Sequence, residues 1–276
     1  MKRTPPPWTG EKLYFKGDDY FRDLLAAIRG ARQNLDFETY LFEPGRLGDR
    51  LVAALAGAAR RGVRVRLLVD GVGSPEFAGH YGPGLARAGA AFRVYRSWPV
   101  IFSTARRLLG WGRLGRALRQ AHGLLSSGNR RDHRKLCLVD DRQVWMGSFN
   151  VSDWNLAELK GSAAWRDTGL RLSGVAGTVF RQAFRLAWED RWPRPWGRRR
   201  VRRIKRWIVR EVVGGPIRLT LTRRLRAAYR RELTERFQLA RRRIWILTPY
   251  FTPTRSLLRA LARAARRGCD VRLVLP

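Results

Sequence analysis

Hydrophobic positions along the chain switch repeatedly between helical and strand spacing. Residues 17–34 carry apolar side chains at helical intervals behind two aspartates, and residues 35–41 then alternate as a half-buried strand does. Residues 49–62 return to helical spacing and end at a glycine, and residues 64–70 are predicted to form a buried strand that ends at Asp70. This order predicts an α/β fold, a mixed sheet flanked by helices.

The same helix and strand pattern occurs a second time near the end of the sequence. Residues 31–70 and residues 240–276 share the core AARRG-x-x-V-R-L, which predicts two copies of one α/β lobe. The second copy stops on the strand that matches the one ending at Asp70, so we expect an incomplete second lobe. The predicted divisions are an irregular leader over 1–16, a first lobe over 17–190, a basic linker with an amphipathic segment over 191–230, and the start of a second lobe over 231–276.

Charge narrows the class of partner. The 276 residues contain 57 Lys and Arg against 22 Asp and Glu, a formal net charge of +35. Such a surface attracts polyanions, either anionic phospholipid or nucleic acid, and argues against an enzyme for neutral small molecules. Residues 98–120 and 191–210 mix basic side chains with tryptophans and apolar residues. That composition is typical of an interfacial membrane segment, and a helix docked on its own protein is the alternative.

The sequence shows no secretory signal at its start and no apolar run near the ~20 residues of a membrane span. We therefore expect a cytoplasmic protein whose membrane contact is peripheral, on the inner face of the cell membrane. Its two cysteines, Cys137 and Cys269, are too few for a disulfide framework or a four-cysteine zinc site. We expect both to be reduced thiols in the core.

The chemistry is concentrated in the stretch RDHRKLCLVDDRQVWMGSFN. It holds His133-x-Lys135, then Asp140, then GSxN with Ser148 and Asn150. A strand is predicted over 134–139. Its periodicity, continued back to His133, puts His133 and Lys135 on one face, about 6–7 Å apart along the chain. A tight turn at the GSxN run lies beside the start of that strand. An imidazole, an ammonium, a hydroxyl and a carboxamide can thus converge on one phosphate, with imidazole as a covalent nucleophile.

The spacing HxKxxxxD(x)6GSxN resembles the HKD signature of the phospholipase D superfamily. The segments WRDTGLRL (165–172), TPYFTP (248–253) and LLVDGVGS (67–74) resemble its cardiolipin synthase-like branch. The resemblance runs from about Asp18 to Pro276. It implies a two-step phosphatidyl transfer without cofactor or metal, in which one histidine attacks phosphorus and a histidine from a second HKD motif serves as acid and base.

The resemblance also implies a role for each residue of the motif. His133 belongs to the catalytic pair, as nucleophile or as acid and base. Lys135 and Asn150 hold the phosphate, and Ser148 orients within the same set of groups. Asp140 counts among the candidate catalytic residues, as a structural or electrostatic support more than as a direct participant.

Asp167, in the WRDT segment, matches a downstream carboxylate that hydrogen-bonds the other ring nitrogen of the nucleophile. At that position it would fix the imidazole tautomer.

One departure from the family pattern affects activity. The sequence has no second HxK, because neither His80 nor His122 is followed by lysine two residues on. The family uses two motifs per site, from one chain or from a homodimer of single-motif chains. We expect that the natural protein continues past Pro276 to a second motif; a disabled half-enzyme is the alternative. The 276 residues alone should show little phosphatidyltransferase activity.

Three functions remain in view. The first is a cardiolipin synthase-like phosphatidyltransferase, or phospholipase D-type phosphodiesterase, acting on phosphatidylglycerol-type anionic phospholipid through a phosphohistidine. The second is a phospholipase D-family nuclease, which the positive charge also suits, although nucleic acid is the less favoured partner. The third is an inactive membrane-binding half-enzyme.

Overall fold

The computed structural model describes residues 8–95, 131–174, 177–189, 223–248 and 251–275. The two basic segments predicted to touch membranes, 98–120 and 191–210, lie outside the described residues, as does His122. The chain divides into two compact units, residues 1–206 and residues 207–276. Within the described ranges, no helix combines the length and the apolar character that crossing a bilayer requires.

The first unit is built on a seven-stranded mixed sheet. Its strands are β1 (Gly10–Tyr14), β2 (Asn34–Thr39), β3 (Arg64–Asp70), β4 (Ala91–Tyr95), β5 (Leu136–Val139), β6 (Gln143–Gly147) and β7 (Gly169–Ser173). Their order across the sheet is β1-β7-β6-β5-β2-β3-β4. Strands β2, β3 and β4 are mutually parallel, and the pairs β2–β5, β5–β6, β6–β7 and β1–β7 are antiparallel.

Helices cover both faces of this sheet. The helices of the first unit are α1 (Gly17–Gly30), α2 (Arg46–Arg60), α3 (Phe77–His80), α4 (Gly82–Arg87), α5 (Ala157–Lys160) and α6 (Thr178–Trp188), with short 3-10 turns at Asp153–Asn155 and Gly161–Ala163. Apolar stripes of α1 and α2 pack on one face, where Leu35, Phe37 and Trp145 are buried. On the other face, α6 buries Phe180 and Phe184. Every residue of β2 is buried, as expected for a central strand covered on both sides.

The second unit repeats the start of the first. Helix α7 (Arg223–Leu239), strand β8 (Arg243–Leu247), helix α8 (Arg255–Arg266) and strand β9 (Asp270–Val274) follow the order of α1, β2, α2 and β3. Strands β8 and β9 are parallel, as β2 and β3 are. Its small core surrounds Ile244, Leu261 and Cys269. The predicted repeat is thus confirmed at the level of elements and strand direction.

Two predicted boundaries are wrong. The leader over 1–16 is not irregular throughout, because residues 10–14 form β1 and pair with β7, more than 150 residues away in sequence. That pairing is non-local, so spacing within the leader could not reveal it. The boundary after residue 230 falls inside helix α7, whose basic first turns read as linker. Both cysteines are free and buried, as predicted.

Candidate active site

Loops carrying the HKD-like motif meet at one edge of the seven-stranded sheet. The parallel strands β2 and β3 end there at Thr39 and Asp70, and the antiparallel β5 begins there at Leu136. Strand β6 ends at the same edge with Gly147, paired with Gly169 at the start of β7. The ends of five strands, β2, β3, β5, β6 and β7, therefore meet at this edge. Ligands bind at such edges in open α/β sheets.

His133 and Lys135 stand together just before β5. The Lys135 Nζ atom lies 3.4 Å from His133 Nδ1 and donates to the His133 carbonyl at 3.2 Å. The ring of Tyr40, the residue after β2, lies 4.7 Å from the His133 ring, and the Lys135 Nζ atom lies 5.6 Å from the Tyr40 centroid. His133 is exposed and Lys135 half-buried. The structure thus presents an imidazole and an ammonium side by side at an accessible edge.

The environment favours a neutral imidazole beside a charged lysine at neutral pH. Burial, and then the positive charge of Lys135, lower the pKa of His133 below its usual value, while the Asp70 and Asp132 carboxylates oppose this shift. Burial lowers the pKa of Lys135 to about 8, against the opposing charge of Asp167. A neutral ring retains the lone pair that a nucleophile or base needs, and an ammonium can stabilise a phosphoryl oxygen.

Arg134, between these two residues in sequence, points to the opposite face of the sheet. Its guanidinium pairs with the carboxylate of Glu38 on β2 and donates to both Asp132 oxygens at 3.0 and 3.1 Å. It also donates to the Ala183 carbonyl of α6 at 3.1 Å. Because side chains alternate along an extended chain, holding Arg134 on that face places His133 and Lys135 on the other face.

The two carboxyl groups around Arg134 differ in protonation. Burial raises the pKa of Glu38 well above its usual value, only partly offset by Arg134. Burial also acts to raise the pKa of Asp132, but its hydrogen bond with Glu38 and the Arg134 charge hold it below the usual value. These directions favour the proton on Glu38 and the charge on Asp132, beside a guanidinium whose pKa is raised.

Asp70 ties this segment to the end of β3. Its fully buried carboxylate accepts from the backbone amides of Val72 at 2.9 Å, Gly73 at 3.3 Å and Asp132 at 3.0 Å. These bonds anchor the residue that immediately precedes His133, so Asp70 helps to fix the histidine backbone.

Ser148 and Asn150 follow β6 at the same edge. Continuing the β5–β6 register places Lys135 opposite Gly147, next to Ser148. The Ser148 hydroxyl accepts from the Thr168 amide at 3.1 Å. The Asn150 carbonyl accepts from the Asn155 side chain at 2.9 Å, and the Asn150 side-chain oxygen is buried with no hydrogen-bond partner within the described ranges. The register thus places Ser148 near Lys135, and Asn150 follows two residues later at the same edge.

Gly147 allows this turn to form. Its φ of +146° is unfavourable for other residues, and a Cβ there would lie 2.3 Å from the Thr168 carbonyl oxygen. The glycine of the GSxN run thus has a backbone reason to be glycine.

Asp140, included among the candidate catalytic residues, lies at the other end of β5. Its carboxylate accepts from the backbone amides of Arg32, Gln33 and Asn34 at 2.8 to 3.0 Å. It is five residues from Lys135, on the order of 16 Å along a strand. It cannot contact a phosphate held at the His133 edge, so it is no direct participant there, and its position is that of a structural support.

Asp167 does not occupy the position that the resemblance implied. No hydrogen bond joins its carboxylate to His133 in the part of the chain described. Its negative charge acts on Lys135, where it partly offsets the lowering of the pKa by burial. Asp70 and Asp132 are instead the carboxylates that act on His133. Asp167 is at the edge, but beside the ammonium.

Sequence reasoning missed several residues around the pair. Tyr40 and Asp70 directly follow or end parallel strands, which was a usable signal because such ends converge. Glu38 is a carboxylate within a fully buried strand, and that position too indicates a partnered or functional group. Within the described residues, no group of three or more His, Cys, Asp or Glu side chains is arranged to hold a metal ion.

The sequence model of one family, described as "Cardiolipin synthase, PLD-like domain", matches residues 24–167 and 233–276, well over half of the chain. The chain belongs to the phospholipase D superfamily. The match includes the His133–Lys135 pair of the first lobe and covers most of the second unit. The recurring lobe of this phospholipase D-like protein is therefore part of its family pattern.

Curated relatives are cardiolipin synthases about twice as long. The protein is 25% identical over 272 residues to cardiolipin synthase of Clostridium perfringens, covering 96% of this chain and 52% of that relative. It is 29% identical over 275 residues to cardiolipin synthase B of Escherichia coli, covering 96% and 59%. The chain thus spans about half the length of the curated relatives that it matches.

Among solved structures, phosphatidylserine synthase of Haemophilus influenzae resembles this phospholipase D-like chain with a TM-score of 0.61. The alignment covers 96% of this chain and 61% of that structure at 11% identity. At this identity the likeness concerns the fold, and it confirms the predicted α/β architecture.

Proposed function

We propose that this chain supplies one phosphohistidine half-site of a cardiolipin synthase-like phosphatidyltransferase acting on anionic phospholipid of the phosphatidylglycerol type. The observation that carries the proposal is the His133–Lys135 pair, with Nζ and Nδ1 3.4 Å apart at the ligand-binding edge. Curated relatives that are cardiolipin synthases support the choice of a phospholipid substrate.

In the first step, an unprotonated ring nitrogen of His133 attacks the phosphorus of a phosphodiester. The new N–P bond forms as the bond from phosphorus to the glycerol oxygen breaks, and that oxygen takes up a proton as glycerol leaves. Lys135 stabilises the negative charge on the non-bridging oxygens, and the Asn150 amide serves the same phosphate.

In the second step, the hydroxyl of an acceptor phospholipid loses its proton to a base and attacks the phosphorus of the phosphohistidine. The N–P bond breaks and His133 returns to its neutral form. A water molecule in place of the lipid hydroxyl gives phosphodiester hydrolysis at the same centre. Transfer and hydrolysis therefore differ only in the acceptor.

Lys135 changes partner during this cycle. In the structure its ammonium contacts His133 Nδ1, and because an ammonium only donates, that nitrogen must hold a lone pair. A bound phosphate offers a stronger, negatively charged acceptor. We expect Lys135 to turn to the phosphate, which frees Nδ1 to carry the ring proton and leaves Nε2 as the nucleophile.

The acid and base of this cycle come from a second histidine. The sequence provides a single HxK pair, and His80 packs its ring against Tyr81 on α3. We propose that a second HxK-bearing lobe, or a second copy of this chain in a homodimer, supplies the second HxK. Either source completes the two-histidine centre that the family resemblance implies.

Peripheral attachment to the inner face of the cell membrane fits this reaction. Both substrates are lipids, and the net charge of +35 attracts an anionic surface. The basic, tryptophan-bearing segments 98–120 and 191–210 are the sequence-based candidates for such contact.

The test compares phospholipid and nucleic acid substrates with matched histidine variants. The chain is assayed on phosphatidylglycerol vesicles and on DNA. The source of the second HxK, which we call the completing partner, is present in each assay. His133→Gln should abolish turnover of the lipid, and His80→Gln, the control, should leave it unchanged. Asp167→Asn should reduce turnover less than His133→Gln, because the imidazole stays in place. Cleavage of DNA with no reaction on lipid would favour the nuclease hypothesis instead.

A further inference from the structure

The described part of the first unit exposes four large hydrophobic side chains. Leu13, Phe15, Trp154 and Trp165 are 52%, 67%, 43% and 45% exposed. We call these four residues, three aromatic and one leucine, the aromatic rim. Singly exposed apolar residues are ordinary, but a contiguous set on a soluble domain marks an interaction surface.

The aromatic rim lies at the sheet edge that carries the active site. Strand β1 ends at Tyr14, which pairs with Gly169 at the start of β7, so Phe15 extends past the edge beside Thr168. The Trp154 and Trp165 rings stack 6.1 Å apart at an interplanar angle of 15°. The rim therefore adjoins the Ser148–Thr168 turn of the active site.

Hydrogen bonds hold the rim segments in place. The Trp165 amide donates to the Trp154 carbonyl at 2.7 Å. The Asp18 carboxylate, three residues after Phe15, accepts from the amides of Ala157 and Glu158 at 2.9 and 3.0 Å. These bonds join the start of α1 to the loop after β6, and they fix the backbone of the segments that carry the rim.

Basic groups border the rim, and three of its acidic neighbours, Asp18, Asp153 and Glu158, hold hydrogen bonds or an ion pair. The Lys160 ammonium lies 4.4 Å from the Trp154 ring centroid, and Lys16 and Arg166 are exposed nearby. Asp153 accepts from two backbone amides at the start of α2, and Glu158 pairs with Arg50. The rim thus combines exposed indoles with cations, the combination that suits an anionic lipid interface.

We infer that the aromatic rim rests on the surface of an anionic phospholipid bilayer and directs the His133–Lys135 edge toward the headgroups. Tryptophan and phenylalanine partition into the interfacial layer, and the adjacent lysines and arginine contact lipid phosphates. Leu13 favours lipid over nucleic acid, because bases stack on flat rings and gain little from an aliphatic side chain. The orientation rests on the proposed function, but the docking itself does not.

A local probe tests the docking without relying on other basic segments. Ser162→Cys, between the two tryptophans, and Arg142→Cys, in the β5–β6 turn at the opposite edge, each carry an environment-sensitive fluorophore; Cys137 and Cys269 are buried. With vesicles of phosphatidylcholine and phosphatidylglycerol, the probe at 162 should shift to the blue and the probe at 142 should not. Equal shifts, or no shift at 162 on bound protein, would overturn the inference.

Substitution provides the second readout. Trp154→Ala with Trp165→Ala should weaken vesicle binding on the order of 10- to 100-fold. Tyr229→Ala, which removes an aromatic side chain 53% exposed in the second unit, is the control and should leave binding unchanged. If the double alanine variant fails to fold, Trp154→Ser alone takes its place, with a smaller loss expected. Unchanged binding in these variants, or a shift of the 162 probe with DNA but not with vesicles, would contradict docking on lipid.

Activity separates this inference from the proposed function. On a monomeric short-chain phospholipid, the tryptophan variant with its completing partner should turn over as wild type does, and on vesicles it should be slower by about the loss in binding. No turnover of the monomeric lipid by wild type would count against the proposed function alone. Equal rates on vesicles for wild type and variant would count against the rim alone.

Discussion

Replacing Arg134 with methionine should destabilise the first unit and disorder the His133–Lys135 edge. The methionine keeps most of the side-chain volume but removes the guanidinium that pairs with Glu38 and Asp132. Those two carboxyl groups are 0% and 7% exposed, so water cannot replace the lost partner. The change therefore leaves two acidic groups facing each other in the interior.

Removing one partner of a buried ion pair typically costs about 3–5 kcal/mol. The raised pKa of Glu38 reduces this, because a carboxyl that already holds a proton leaves one buried charge, that of Asp132. We therefore expect about 3 kcal/mol near pH 7. A folded-state pKa above the unfolded value gives stability that is present at low pH and lost as pH rises through it. The Arg134 charge lowers the pKa of both carboxyl groups, so without it these pKa values lie higher in the folded variant than in the folded wild type, and the deficit of the variant should grow from pH 5 to pH 8.

Urea unfolding at both pH values measures this free energy, with Arg142→Met as the control, an exposed arginine in the β5–β6 turn. Glu38→Gln should cost less than about 1 kcal/mol, since glutamine resembles the protonated acid in shape and hydrogen bonding. A cost for Arg134→Met no larger than that of the control would refute the buried network. A Glu38→Gln cost as large as that of Arg134→Met would refute the protonated glutamate.

Three further predictions follow from the site geometry. The affinity for inorganic phosphate should fall as pH rises through about 8, where Lys135 loses its charge, and the Lys135→Arg variant should still bind phosphate above that pH. Calorimetric titration at several pH values measures this affinity. The same fall in the Lys135→Arg variant would exclude the lysine as its cause. Gly147→Ala should lower the midpoint of thermal unfolding and the phosphate affinity together, because its Cβ would meet the Thr168 carbonyl; an unaltered crystal structure and affinity would contradict this. Asp140→Asn should cost on the order of 1–3 kcal/mol near pH 7 by urea unfolding. Because the pKa of Asp140 is lowered, that contribution is present above the unfolded-state pKa and lost as pH falls, so a deficit that persists in acid would exclude the carboxylate as its source.

Local patterns sufficed for the elements near the motif. The strands predicted at 35–41, 64–69 and 134–139 share one sheet, as β2, β3 and β5, because their apolar spacing and their packing agree. The second lobe was predictable because its residues repeat those of the first. Strand β1 was not, since its partner β7 lies far away in sequence and its own residues are mostly exposed.

The site was predictable as a motif and less so as an assembly. Spacing alone placed His133 beside Lys135, because both lie on one face of the extended segment that leads into β5. It could not place Asp167, whose position depends on the loop after β6, nor exclude Asp140, whose backbone contacts are with residues more than 100 positions earlier. The buried triad of Glu38, Asp132 and Arg134 arises from strand order, which a motif does not encode.

The most direct test of the central claim uses a short-chain phosphatidyl ester of p-nitrophenol, whose leaving group departs from phosphorus without needing a proton. With such a substrate the 276 residues need no second histidine for the first step, because general acid catalysis contributes little to that departure. We predict a burst of about one p-nitrophenolate per chain, with an acid-labile, base-stable adduct on His133 by mass spectrometry, and no burst in His133→Gln. No burst from wild type, an equal burst from His133→Gln, or an adduct on another residue would contradict the assignment of His133 as the nucleophile.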